Sequence, residues 1–248
     1  MNTNYAENNC ATLIGKVASD KRLSHETFGE KFYLFDLEVM RLSDIADIIP
    51  ITVSERLLTN FDLSIGNQII VDGQFRSYNN YENEKNRLVL TVFAKDIQEY
   101  DKVKEQEEIE EKDDETDEEE TTEKKGEVTN EIVLIGYICK KPIYRQTPFG
   151  REIADVLLAV NRAYNKSDYI PSIAWGRNAR FCQNMEVGTE VKITGRVQSR
   201  NYEKKHEDGT IENRVAYEVS IASLEVLSED NKYIKKEEVE ENTSEEAV

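Results

Sequence analysis

The chain repeats itself. Moving its first hundred residues forward by 121 positions brings Asn9 onto Asn130, Leu13-Ile14-Gly15 onto Leu134-Ile135-Gly136 and Phe28-Gly29 onto Phe149-Gly150. The same register places Val39 on Val160, Arg41 on Arg162, Pro50 on Pro171 and Arg56 on Arg177. One added residue then aligns Gly66 with Gly188 and Val71-Asp72-Gly73 with Ile193-Thr194-Gly195. Beyond a loop of different length, Asn86-Arg87-Leu88 meets Asn213-Arg214-Val215. Whatever the fold is, it is built twice from modules of about 100 residues.

Charge divides the chain in the same places. The net of −18 over 248 residues would repel nucleic acid and anionic lipid if it were evenly spread. It is not: residues 101–127 hold 15 acids and 5 bases, and 228–248 hold 8 acids and 3 bases. Residues 1–100 carry a net of −5 and residues 128–227 a net of +2. The expected plan is a first module at 1–100, an acidic linker at 101–128, a second module at 129–228 and an acidic tail at 229–248. The acidic stretches hold too few apolar residues to repay ordering and are expected to be disordered. The linker reads either as a self-repelling spacer or as a mimic of nucleic acid that competes for a basic groove.

The second module shows the pattern most clearly. Ile132–Ile138, Ile153–Asn161 and Ile170–Trp175 are apolar, β-rich runs separated by Pro142, the turn Thr147-Pro148-Phe149-Gly150 and a polar stretch. Arg177–Met185 suits a short helix closed near Gly188, and Val191, Ile193 and Val197 alternate with polar residues as on a half-buried strand. A polar loop over 201–213 leads to a last strand, Val215–Val226. Five strands with one helix between the third and fourth is the order of an OB-fold barrel, with Gly136 and Gly195 where strands must bend. The fold class is therefore all-β: two tandem five-stranded OB-fold barrels, each with a short helix.

Several classes of function are disfavoured. No stretch reaches the ~18–20 uncharged apolar residues of a membrane span. The opening Met1-Asn2-Thr3-Asn4-Tyr5 does not resemble a secretory signal, and Cys10, Cys139 and Cys182, without Cys-x-x-Cys spacing, read as buried hydrophobes in a reducing cytoplasm. Two histidines, His25 and His206, do not make a zinc site, and no Walker loop or Ser/His/Asp arrangement is present. The expectation is a non-enzymatic protein without cofactor.

The second module resembles the bacterial single-stranded DNA-binding proteins. The resemblance rests on Asn130-Glu131-Ile132-Val133-Leu134-Ile135-Gly136, Thr147-Pro148-Phe149-Gly150, the run from Ile153 to Arg162, Ile173-Ala174-Trp175-Gly176-Arg177 and the run from Gly195 to Tyr202. It spans nearly all of 129–227, whereas the first module resembles the family through the repeat alone. Carried over by position, the family's base-stacking rings fall on Tyr164, Tyr169, Trp175 and Tyr202. Arg162, Arg177, Arg196 and Arg200 stand beside them as phosphate-binding candidates. A ring accepts the π-face of any base at ~1–3 kcal/mol, so rings interleaved with arginines suit a sequence-blind groove. Trp175 and Tyr169 also fit the bland role of strand packing residues, and Phe149 reads as a plug for a barrel end.

The repeat exposes an asymmetry. Tyr164, Tyr169 and Trp175 face Ser43, Ile48 and Ser54, and only Tyr202 has an aromatic counterpart, near Tyr81. Arg162 and Arg177 face Arg41 and Arg56, but Arg196 and Arg200 face Gln74 and Tyr78. The first module is therefore expected to bind single strands weakly or not at all. The resemblance implies single-stranded DNA as partner, a homodimer with four OB-folds, a role in replication, recombination or repair, and a cytoplasmic, nucleoid-associated location. Family tails close on Pro-Phe, which docks replication and repair proteins; this chain reads Glu245-Glu246-Ala247-Val248. A primosome-type accessory or protein-interaction factor on a vestigial OB scaffold is the alternative.

Overall fold

The computed structural model describes residues 8–59, 61–82, 85–101, 103, 129–206 and 209–227, leaving aside the side chains of 80–82 and 85–87. Almost all of the acidic linker and the whole acidic tail lie outside the described residues. The chain divides into two compact units. Among the described residues, one takes Asn8, Val133–Gly195 and those from Ser220 onward, the other Asn9–Ile132 and Arg196–Val219.

In the unit that holds the first module, the strands are β1 (Asn9–Val17), β2 (Arg22–Thr27), β3 (Glu30–Met40), β4 (Ala46–Ser54), β5 (Gln68–Glu82) and β6 (Lys85–Glu99). Their hydrogen-bonded order is β2-β3-β4-β6-β5-β1, and β1 also pairs with β3. The register is antiparallel throughout except for β4 and β6, which run parallel at Ile51↔Val92 and Thr52↔Phe93. Alternation puts Leu13, Phe35, Leu37, Ile49, Ile51, Ile69, Val71, Phe75 and Val92 inside, fully buried. Each such side chain stabilises the fold by about 1.5–3 kcal/mol.

The second module contributes β7 (Asn130–Ile138), β8 (Ile143–Gln146), β9 (Glu152–Arg162), β10 (Lys166–Trp175), the helix α1 (Arg177–Gln183), β11 (Glu190–Lys205) and β12 (Ile211–Val226). Their order, β7-β11-β12-β10-β9-β8 with β7 also pairing β9, repeats that of β1–β6 strand for strand. Both halves are OB-fold-like.

The repeat extends to individual bonds. The Asn9 amide donates to the Phe75 carbonyl and accepts the Phe75 N–H at 2.7 and 2.9 Å; Asn130 does the same with Val197 at 2.7 and 2.9 Å. A Cβ on Gly15 would run into the Glu38 carbonyl, and one on Gly136 would lie 2.7 Å from the Ala159 carbonyl. Gly73 and Gly195 are pressed in the same way against the carbonyls of Phe93 and Ser220. These glycines serve close backbone approach, because any side chain would push the paired strands apart.

Four expectations need correction. Among the described residues each half has six strands rather than five, because the short strands β2 and β8 flank the other five. The helix forms only in the second module; in the first, 55–59 make successive turns closed by Leu57 N–H to Ser54, Leu58 N–H to Glu55 and Thr59 N–H to Arg56. The reason is Gly176, whose φ of 52° and ψ of −118° turn the chain from β10 into α1, a conformation closed to its counterpart Glu55. The expected loop over 201–213 is mostly strand, since β11 and β12 continue past the core as a hairpin. Cys10 is exposed, because alternation gives the inner face of β1 to Asn9 and Ala11.

Candidate nucleic-acid interface

On β10 the even positions Asp168, Ile170, Ser172 and Ala174 point inward and are buried. The odd positions therefore face outward, which places Tyr169 and Trp175 on one face of one strand, 48% and 39% exposed. The Trp175 indole N–H donates to the Ser220 hydroxyl on β12 at 3.2 Å, which fixes the ring while leaving part of it open. Arg177, at the start of α1, is exposed beside this face.

Tyr164 sits in the three-residue turn between β9 and β10, whose last pair is Arg162↔Lys166. Its φ is 61° and that of Asn165 is 54°, so both occupy the left-handed region. A tyrosine is costly there, by roughly 1–2 kcal/mol, yet the ring is 94% exposed and gains no burial in return. Arg162, at the base of this turn, is drawn to the buried Asp168 at 3.4 Å.

Arg196, Arg200 and Tyr202 belong to the other compact unit. They share one face of β11 with Gln198, at alternate positions. The Arg196 guanidinium donates to the Gln198 amide oxygen at 3.2 Å, and the Gln198 amide donates to Glu218 at 2.8 Å. Glu218 lies 3.7 Å from Arg200, whose guanidinium stands 5.8 Å over the Tyr202 ring. At the other end of the row, Arg196 lies 3.8 Å from Asp47, a fully buried carboxylate on β4. Asp47 also takes both nitrogens of an Arg41 fork at 2.6 Å. Two guanidiniums thus share one carboxylate, leaving a net positive charge in a partly desolvated place. Burial, and after it the Arg41 cation, lower the Arg196 pKa against the pull of Asp47, whereas the bond to Asp47 raises that of Arg41.

At the hairpin end, Glu212 accepts from Arg214 at 2.7 Å and contacts His206 at 2.9 Å. These two bonds pull its carboxyl down to about 2. Phe149 is not a plug: it caps the β8–β9 hairpin and is 93% exposed. The sequence reading passed over Asp47, Gln198 and Glu218. One sign was available, since Asp47 and Asp168 are equivalent under the repeat and each follows an equivalent arginine by six residues. Among the described residues no group of His, Cys, Asp and Glu is placed to hold a metal ion, and no helix is long and apolar enough to cross a membrane.

Two OB-fold-like modules, with exposed rings and arginines on their strands, define the architectural class. Over 129–227 the chain matches the Single-strand binding protein family. It is 37% identical over 110 residues to the single-stranded DNA-binding protein of Clostridium tetani, covering 42% of this chain and 73% of that one. It is 36% identical over 83 residues to single-stranded DNA-binding protein A of Bacillus subtilis, where it covers 31% of this chain and 48% of the relative. The wild-type single-stranded DNA-binding protein of Thermus aquaticus shares the fold with a TM-score of 0.63, over 89% of this chain and 93% of that one, at 17% identity. The chain belongs to the single-strand binding protein family.

Proposed function

We propose that this protein binds single-stranded DNA with little regard to sequence, mainly through the second module, and acts in replication, recombination or repair. It is not an enzyme: its chemistry is stacking and ion pairing. The observation that carries the reading is the outward face of β10, where Tyr169 and Trp175 stand on a strand whose inward face is buried, below a strained and exposed Tyr164. Bases stack on Tyr164, Tyr169, Trp175 and Tyr202, and phosphates pair with Arg162, Arg177, Arg196 and Arg200. Of these arginines, Arg177 and Arg200 are exposed, whereas Arg162 is shared with Asp168 and Arg196 with Asp47.

The modules are taken as 1–100 and 129–228, joined by the acidic 101–128 and followed by the acidic 229–248. Each ring of five paired strands is closed as a small barrel. The working form is a homodimer with four such barrels, in the cytoplasm at the nucleoid, alongside replication and repair proteins.

The test uses the sole tryptophan, Trp175. Adding oligo-dT should quench its fluorescence, duplex of the same length should not, and the affinity should fall linearly on a log–log plot against salt. Unchanged emission with oligo-dT at 50 mM salt (about 14 Å of screening by the Debye scaling) would rule the reading out.

A further inference from the structure

We propose that the first module carries a single-strand stacking row of its own, shifted onto neighbouring strands: His25, Phe32 and Phe93, ended by Arg76. This rests on the reading above that the ligand is single-stranded DNA, and extends it to a face the sequence comparison assigns no rings.

The shift follows from the shared backbone. Gly73 is pressed against the Phe93 carbonyl as Gly195 is against that of Ser220, so Phe93 and Ser220 occupy the same place in the two halves. In the second module a large ring, Trp175 on β10, bonds to small Ser220 on β12. In the first, the counterpart of Trp175 is small Ser54 on β4, and the large ring, Phe93, comes from β6. Phe32 on β3 likewise takes the place of Ile153. Ring area has therefore moved sideways by one strand.

The small residues of β4 make the row possible. Phe32 lies opposite Ser54 and Phe93 beside Thr52, and the two rings approach to 5.5 Å between centroids. A tryptophan at position 54 would fill that space. Phe32 then stacks on His25 at 4.9 Å with planes 9° apart, and the Arg76 guanidinium lies 4.2 Å over Phe93. The face is the outer one, because Phe35, Leu37, Val92 and Ala94 of the same strands are buried inward. Beside it stands Tyr78, 45% exposed and on the same face of β5 as Arg76. Flat π-surfaces with cations at intervals are what bases and phosphates need, whichever strand supplies them.

The experiment uses the full chain. Oligo-dT with scattered 5-iodouracil is photo-crosslinked and the labelled peptides are mapped. In parallel, Phe32→Leu/Phe93→Leu, which keeps apolar volume but removes the π-faces, is titrated by Trp175 quenching with short oligo-dT and with poly-dT, its fold checked by circular dichroism. Expected are labels in 22–33 or 76–93 as well as in 164–202, unchanged affinity for short oligomers, and about tenfold weaker binding to long ones with fewer nucleotides covered per chain. Labels confined to 164–202, with the leucine variant covering as many nucleotides as the parent, overturn the proposal and leave the second module's role standing. No labels anywhere and no quenching overturn both.

Discussion

The buried Asp47 carboxylate accepts the backbone N–H of Ser199 at 2.7 Å, 152 residues away in the chain. The same oxygen is 3.2 Å from the Ser199 hydroxyl, and Arg41 donates to both oxygens. One carboxylate of the first module thus holds β11 where the row Arg196-Gln198-Arg200-Tyr202 begins. Asp47→Ala should cost about 3 kcal/mol, because it leaves Arg41 and a backbone donor without their partner. Asp47→Asn, which still offers an oxygen to Ser199, should cost about half as much. Urea midpoints at constant m-value provide the measurement, and a cost below about 0.5 kcal/mol for the alanine variant would deny Asp47 this role.

Arg162 and Arg177 look alike in sequence and differ in surroundings. Arg177→Ala should leave the melting temperature unchanged and flatten the salt dependence by about 0.7 in slope, one phosphate on a single strand. Arg162→Ala should lower stability by about 3 kcal/mol, since Asp168 would keep a buried charge without its 3.4 Å guanidinium. If the two variants exchange these phenotypes, the division of labour is wrong.

Tyr164→Gly separates strain from binding. Removing a side chain from φ 61° relieves roughly 1–2 kcal/mol, and glycine's extra freedom in the unfolded chain returns about 0.5–1. Thermal stability should hold or rise slightly while oligo-dT affinity falls about tenfold. A variant that melts earlier and binds normally would make Tyr164 a structural residue.

The Cys182 thiol is buried, and desolvation pushes it up to about 11. Its folded value lies above its ordinary value of 9.0, so the stability it contributes is complete below about 9 and lost as pH rises towards 11. Cys182→Ala should remove that part of the alkaline decline in denaturant midpoint. At pH 8 a thiol reagent should modify exposed Cys10 at once and Cys182 only on unfolding.

The repeat was legible because matched pairs such as Asn9 and Asn130 do the same backbone work, and that constrains sequence position by position. Strand identities followed from alternation. The β11–β12 hairpin did not, because Asn201–Lys205 are exposed on both faces and carry no apolar signal. The first-module helix misled for the opposite reason: Arg56 matches Arg177, but the conformation depends on Gly176 before it, which Glu55 replaces. Matching rings position by position also hid Phe32 and Phe93, since a surface can be preserved while the residues that supply it change strand.

One compact unit is assembled from Asn9–Ile132 together with Arg196–Val219. Cutting the backbone anywhere between residues 103 and 129 would therefore give two polypeptides, neither holding that unit whole. Under native conditions the nicked protein should elute as a single particle of unchanged size. Once denatured, regaining the fold of a single protomer would become a bimolecular reaction, faster and more complete as the pieces are concentrated, whereas in the uncut chain that step, before any pairing of protomers, would be indifferent to dilution.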